Sequence, residues 1–319
     1  MHIKPIVIII VGPTASGKTA LSYDLARVLP AEIINADMGQ FYTPLSVGTA
    51  KPDWQKEACP AYLFDIVDEP RDMTVKEYRQ KVLSHIDIIV QKNKTPIVVG
   101  GSLFYIKSLL YPPQELLIDQ DALVSKDEEN SWEFLNSIDP VRAAKIHPND
   151  TYRIQRALAI WRSSGKLPSS YEPKMELPFQ PIVVALMPPL EVLRNRIKER
   201  AVQMVCDGDW LKEVSCLDDA WRLFLQQKKI IGYDIMLALH DGDISSKDAL
   251  DAIYIKTCQY AKRQQTFLKK FIQDLVNDAL QEGIHIQTCV LVEYATALQD
   301  LLSLLEKSTV SDKLQYEKQ

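Results

Sequence analysis

Residues Gly12-Pro13-Thr14-Ala15-Ser16-Gly17-Lys18-Thr19 fit the pattern G-x-x-x-x-G-K-[ST], directly after the apolar run Ile6–Val11. Such a loop turns its backbone N–H groups onto an anion only when a buried strand and a helix N-terminus hold its two ends. The pattern therefore predicts a strand over 6–11, the loop, and a helix over 19–29. Short apolar segments then alternate with helical ones. Strands are expected over Glu32–Ala36, over Tyr62–Ile66 more weakly, and over Pro96–Val99, with a helix over Val75–Lys92. That alternation is the pattern of parallel strands joined by helical crossovers. The expected fold is α/β: a P-loop NTPase-like parallel sheet flanked by helices, with an inserted helical domain.

The insertion is read from a change of pattern at Tyr111. Pro112 and Pro113 break the chain, Asp119–Glu129 carries five acids against one lysine and reads as a mobile loop, and only helices are legible over 131–165. After Pro168, Pro173 and Pro178 a strand returns over Pro181–Met187, followed by long helices to about Phe271. The expected division is residues 1–112 with 180–307 as the α/β core and its C-terminal helices, 113–179 as the helical insertion, and 308–319 as a disordered tail.

Composition narrows the class. A chain of 319 residues with 46% apolar and 25% charged side chains buries a large core and is not dominated by disorder. The longest apolar runs, Ile6–Val11 and Ile182–Met187, are six residues each, against roughly 20 for a membrane-spanning helix. No membrane partner is expected, and the first run is too short for a secretion signal, which points to a cytoplasmic protein. The five cysteines are scattered, with no spacing of a disulfide framework or zinc clip. The net charge of −5 argues against indiscriminate nucleic-acid binding, yet Thr151–Lys166 is +4 and Lys256–Lys270 is +5, leaving −14 on the rest. Such polarisation steers a polyanion to one side.

In the loop, Lys18 places a charge among phosphate oxygens and the Thr19 hydroxyl suits Mg²⁺. Enzymes of phosphoryl transfer normally add an acid at the end of a later strand. Here the best candidate strand ends Val99-Gly100-Gly101-Ser102, so the loop's ligand is either a nucleotide or a pyrophosphate of another kind. Asp37, at the end of the strand over 32–36, falls on the side of a doubly wound sheet that faces the ligand crevice. A helix N-cap or a water-bridged metal ligand is its plain structural alternative.

Eight segments stand in the order seen in bacterial tRNA dimethylallyltransferases: Gly12–Thr19, Asp37…Gln40…Tyr42, Gly48-Thr49-Ala50-Lys51-Pro52, Val99-Gly100-Gly101-Ser102, Arg153…Arg156-Ala157-Leu158, Arg196…Arg200…Met204…Gly208, Ile231-Gly232-Tyr233 and Tyr260-Ala261-Lys262-Arg263-Gln264. The chain resembles that family over most of its length. The resemblance implies that Gly12, Pro13, Thr14, Ala15, Ser16, Gly17, Lys18 and Thr19 bind the diphosphate of dimethylallyl diphosphate. It implies Mg²⁺ at Thr19, catalytic roles for Asp37, Thr19 and Arg200, and transfer of the isoprenoid to the exocyclic amine of the adenine just 3′ of the anticodon. Asp37, Met38, Gly39, Gln40, Ser102, Tyr152, Arg153, Ile154, Gln155 and Arg156 match segments that contact the tRNA anticodon stem-loop, and a monomer is expected. Arg153 and Arg156 share a helix face while Ile154, Leu158 and Trp161 turn to the core. Lys256, Tyr260, Arg263, Phe267 and Lys270 follow helical spacing and form one basic and aromatic stripe suited to RNA, or in part to a core.

The sequence also departs from the family. Met38-Gly39 stands where serine then methionine is usual, removing a hydroxyl beside Asp37 and loosening the loop. Cys258 replaces an arginine, and the acidic stretch replaces an arginine-bearing one. A divergent paralogue with another acceptor, a P-loop small-molecule kinase and an RNA-binding module without chemistry are the competing readings.

Overall fold

The structure is a computed structural model and describes residues 4–112, 131–171, 174–206, 209–284, 286–292 and 298–303. The acidic stretch over 119–129, Pro113, Pro173, Gly208 and the tail from 308 lie outside them. The chain divides into two compact units, Met1–Leu110 with Leu177–Gln319, and Tyr111–Glu176.

In the larger unit, β1 (Ile6–Val11), β2 (Ala31–Asn35), β3 (Ala61–Tyr62), β4 (Thr95–Gly100), β5 (Gln180–Leu186) and β6 (Gln287–Leu291) form one parallel sheet in the order β3-β2-β4-β1-β5-β6. Ile8 lies level with Ile97 on one side and Ile182 on the other. Helices cover both faces of such a sheet, so the central strands are apolar at every position rather than alternately. Val7 to Val11 are all fully buried. One face packs Ile8, Ile10, Ile33, Ile97, Ile182 and Val184 against Leu21 and Leu25 of α1 (Lys18–Val28). The other helices of this unit are α2 (Val75–Gln91) and α3 (Leu103–Leu110), and, after the insertion, α7 (Leu190–Cys206), α8 (Asp209–Ser215), α9 (Asp219–Lys228), α10 (Tyr233–His240) and α11 (Ser246–Glu282). Because the chain leaves β1 for β2 and later returns to β4 and β5 on either side of it, the loop after β1 stands at the switch point where such sheets bind ligands.

Three elements differ from the sequence expectation. The third strand is two residues, not five, because Leu63 and Asp65 take positive φ values of 64° and 51° and end the extended run. Asp65 instead accepts Trp54 Nε1–H at 3.0 Å and pairs with Lys51. The long helix α11 continues 11 residues past Phe271, keeping Leu275 and Ala279 in its buried stripe until Gly283 takes a left-handed cap. β6 has no clear signal in the sequence: it is an edge strand whose Gln287 and Thr288 dilute the apolar pattern and whose Val290 is exposed.

The smaller unit is helical, in agreement with the sequence: α4 (Trp132–Ile138), α5 (Pro140–Ala143) and α6 (Thr151–Ser164). Each begins with a side-chain cap, from Ser131, Asp139 and Asp150 respectively. Leu135, Ala143, Ile146, Ile154, Ala157 and Leu158 form its core.

Candidate active site

The phosphate loop lies between β1 and α1, and its shape is set from outside. Arg196, on α7, donates to the Ala15 and Ser16 carbonyls at 3.3 and 3.4 Å. Ala15, at φ 61°, packs against Leu193 and Ile197 of α7 and Ala261 of α11. Those contacts hold a non-glycine residue in a left-handed conformation that it avoids when free. One residue earlier in the loop Gln264 Oε1 accepts the Thr14 N–H at 2.8 Å.

The second strand end is clamped to the fourth. Ala36 N–H donates to the Val99 carbonyl at 2.7 Å and Ser102 N–H to the Ala36 carbonyl at 3.2 Å. A Cβ on Gly100 would lie 2.1 Å from the Ala36 backbone, so only glycine permits this approach. The buried Asn35 side chain accepts Asp37 N–H at 2.9 Å and donates to the Asp37 and Leu63 carbonyls at 3.2 and 3.1 Å. Asp37 precedes the 3₁₀ turn Met38–Phe41, yet its carboxylate does not cap that turn. The N-cap alternative is therefore excluded. The loosening expected from Met38-Gly39 is also absent: Met38 N–H donates to Ser102 Oγ at 2.9 Å, and Gln40 Nε2 donates to the Thr49 and Ala50 carbonyls at 3.1 and 3.3 Å. A Cβ on Gly39 would lie 2.9 Å from Thr49 Cγ2, so the glycine admits the neighbouring segment.

Two cavities meet at Asp37. One, of about 300 Å³, is walled by Gly17, Lys18, Thr19, Asn35, Thr49 and Arg200. The other, of about 210 Å³, is walled by Met38, Ser102, Met204, Ile231, Ile253 and Tyr260 and is mainly apolar. Asp37, Thr14, Thr49, Ala50 and Arg200 border both. Removal from water pushes the Lys18 ammonium below its ordinary pKa, Asp37 acting against this and Arg200 with it. Its polar contact is a long one, 3.4 Å to the Pro13 carbonyl. Arg200 is exposed as a whole residue, yet it lines the same recess, where loss of hydration pushes its pKa down and Asp37 opposes the shift. Burial raises the Tyr260 hydroxyl, helped by Asp37. Two cations thus flank one carboxylate in a half-dry recess, and Ser16 Oγ in the loop is buried with no hydrogen-bond partner among the described residues. That combination suits a strongly anionic ligand.

The structure brings the loop residues, Asp37, Met38, Gly39, Gln40, Ser102 and Arg200 together. In the smaller unit Tyr152, Arg153 and Arg156 are exposed on α6, Gln155 is half-buried, and Ile154 is buried in that unit's core, with its side chain turned from solvent. Arg153 pairs with Asp150 at 3.3 Å. Of the stripe on α11, Lys256, Arg263, Phe267 and Lys270 are exposed, Lys256 pairing with Asp234, whereas Tyr260 lines the apolar cavity. Cys258 is partly buried against the cluster of Ala15, Leu193 and Ile197.

Two further residues shape the site without belonging to any role read from the sequence. Glu213, on α8, accepts the backbone N–H groups of Ser46, Val47 and Gly48 at 2.7, 2.6 and 3.4 Å and the Tyr233 hydroxyl at 2.6 Å. It holds the segment that brings Thr49 and Ala50 to both cavities. Gln264 is the other. Glu213 leaves no local signal, and Gln264 appears in the sequence only as the end of the Tyr260–Gln264 motif with no role attached, because each acts across more than 160 positions of chain.

Comparison with known proteins agrees with the geometry. The sequence model of the family described as IPP transferase matches residues 40–271. The chain is 36% identical over 282 residues to the tRNA dimethylallyltransferase of Bacillus subtilis, covering 85% of this chain and 90% of that one. It is similar in structure to a eukaryotic dimethylallyltransferase acting on tRNA, with a TM-score of 0.78 and 27% identity over 97% of this chain and 80% of that one. The full-length tRNA isopentenylpyrophosphate transferase of Bacillus halodurans gives 0.65 and 25%, covering 99% of this chain and 100% of the other. With eight motifs in order, a parallel sheet of the same architecture and a match over most of its length, the chain belongs to the IPP transferase family.

Proposed function

We propose that the protein transfers a dimethylallyl group from dimethylallyl diphosphate to the exocyclic amine of the adenine 3′ to the anticodon of tRNA, releasing diphosphate. The observation that carries this reading is the position of Asp37, which borders both the phosphate-loop cavity and the apolar one. The diphosphate rests on the amides of Gly17, Lys18 and Thr19, with the Lys18 and Arg200 cations on its oxygens. Apolar walls such as Ile231, Ile253 and Met204 suit the faces of an isoprenoid and of an extruded base. An adenine amine is a weak nucleophile, its lone pair delocalised into the ring. Asp37 accepts a hydrogen bond from it, orients the lone pair toward the allylic carbon, and takes the proton as the N–C bond forms and the C–O bond to diphosphate breaks.

A hard divalent cation is suited by oxygen donors, and the Thr19 hydroxyl lies on the diphosphate cavity. Thr19, together with the substrate's phosphate oxygens, would hold Mg²⁺, which supplies charge neutralisation of the leaving group. Among the described residues no group of three or more His, Cys, Asp or Glu is placed to bind a metal. The bacterial tRNA-modifying relative supports a cytoplasmic location.

The test is incubation with labelled dimethylallyl diphosphate, Mg²⁺ and unmodified tRNA. Label is expected in the tRNA with stoichiometric release of diphosphate and no ADP from added ATP. Release of ADP in step with turnover would instead make the loop a nucleotide site and support the kinase reading.

The exposed arginines of α6 support the tRNA part of the proposal. If Arg153 and Arg156 each meet a phosphate, replacing both with Ala makes the slope of log affinity against log salt shallower by about 1.4, at about 0.7 per phosphate of a single strand. The pair of Arg153 with Asp150 is solvent-exposed and exchanges at little cost. Unfolding temperature is expected to stay unchanged, since neither side chain enters the core of its unit. An unchanged slope would move the phosphate contacts elsewhere.

A further inference from the structure

Gln264 is only 8% exposed, and both its amide oxygen and its amide nitrogen are engaged within the protein. Its Oε1 accepts the Thr14 N–H at 2.8 Å, and its Nε2 donates to the Gly101 carbonyl at 3.1 Å. A Cβ built on Gly101 would lie 2.7 Å from Gln264 Nε2 and 3.5 Å from Lys18 Nζ, so the amide and the ammonium flank one point beside the loop. In a nucleotide-binding loop of this pattern the amides follow successive phosphates and the lysine reaches the outer two. Here the N–H groups of Gly17, Lys18 and Thr19 make no backbone hydrogen bond among the described residues, whereas the Thr14 N–H at the far end is taken. The neighbouring strand end, Val99-Gly100-Gly101-Ser102, presents a carbonyl to Gln264 where phosphoryl-transfer enzymes carry a metal-holding acid.

We infer that Gln264 is a specificity-determining residue that occupies the place of a third phosphate, so that this loop accepts a diphosphate and disfavours a triphosphate. The inference rests on the diphosphate reading of the site. It explains how a loop of nucleotide-binding pattern serves a ligand with two phosphates: α11 supplies a neutral amide that satisfies the outermost donor of the loop and shortens the row of amides open to an anion. The side chain needs no contact with the reacting atoms to do this.

The experiment is calorimetric titration of the full chain with inorganic pyrophosphate and with tripolyphosphate, both in Mg²⁺. The wild type is expected to bind pyrophosphate at least as tightly, despite the larger charge of tripolyphosphate. Gln264→Ala frees the Thr14 N–H and opens space beside it. It is expected to shift the ratio toward tripolyphosphate by about 10- to 100-fold, the range of one charge-assisted hydrogen bond, with pyrophosphate affinity within a few-fold of the wild type. Gln264→Glu keeps the acceptor for Thr14 but adds a negative charge, and is expected to shift the ratio the opposite way. A general loosening of the loop would weaken both ligands in both variants alike and would overturn the inference. If the alanine variant does not fold, Gln264→Asn, which cannot span from α11 to Thr14, is expected to shift the ratio in the same direction. A wild-type preference for pyrophosphate with an unchanged ratio in a folded Ala or Asn variant overturns the inference alone. A wild-type preference for tripolyphosphate or ATP overturns the diphosphate reading and the inference with it.

Discussion

Asp37→Ala is expected to lower the single-turnover rate of transfer by about 10²–10⁴ while leaving tRNA affinity within a few-fold. The size follows from the role. In the proposed role the carboxylate would meet a neutral amine in the ground state and a developing positive nitrogen in the transition state, so most of its stabilisation would appear only as the N–C bond forms. Asp37→Asn keeps the shape and the acceptor oxygen but not the charge, and is expected to fall in the same range. Folding should survive both changes, because the carboxylate caps nothing and the turn is held through the Asp37 backbone by Asn35 and through Met38 by Ser102. The measurement is rapid quench with enzyme in excess over tRNA, beside an unfolding curve. A near-normal rate in a folded Asp37→Ala protein would remove Asp37 from the proton transfer.

Lys18→Ala is expected to act on both binding and rate. Its ammonium is already drawn below the ordinary pKa by removal from water, and among the described residues its hydrogen bond is a long one, to the Pro13 carbonyl. In the proposed reaction the diphosphate would be its stronger partner. Losing that charge-assisted contact should weaken diphosphate affinity by about 10- to 100-fold. The transfer rate should fall further, by about 10²–10³, because charge on the departing diphosphate grows in the transition state. Stability is expected to hold or rise, since an unfavourably placed cation is removed. Unchanged pyrophosphate binding by calorimetry would place the leaving group elsewhere. Set beside Asp37→Ala, whose effect falls on rate alone, this variant separates the residue that holds charge present from the start from the one that meets charge as it develops.

Much of this site is legible in the order of the amino acids. The loop over 12–19 is local: eight consecutive residues between a strand and a helix carry their own geometry, and β1 and α1 fall within one residue of expectation. Asp37 and Ser102 are legible because strand ends of a parallel sheet share one side. Arg200 is legible only through resemblance, since no local pattern directs an arginine on a long helix toward a loop more than 180 residues away. The third strand is shorter than its apolar run suggests: Leu63 and Asp65 both take left-handed conformations, and Asp65 turns to Lys51 and Trp54.

The sequence by itself determined the parallel α/β core, the anion-binding loop and the helical insertion, because each is written in short-range periodicity or in contiguous motifs. The tertiary structure decided what the loop is free to bind. Arg196, Glu213 and Gln264 spend their polar atoms on backbone groups of distant segments, and only the packing of α7, α8 and α11 against the loops at the strand ends brings them there. It also decided that Met38-Gly39 is anchored rather than loose, and that Tyr260 turns inward while Phe267 on the same helix does not. The physical reason is the same in each case. A hydrogen bond across 160 or more residues depends on the register of elements that local propensity does not encode, so its donor and acceptor become partners only when the sheet has assembled and the helices have docked on it.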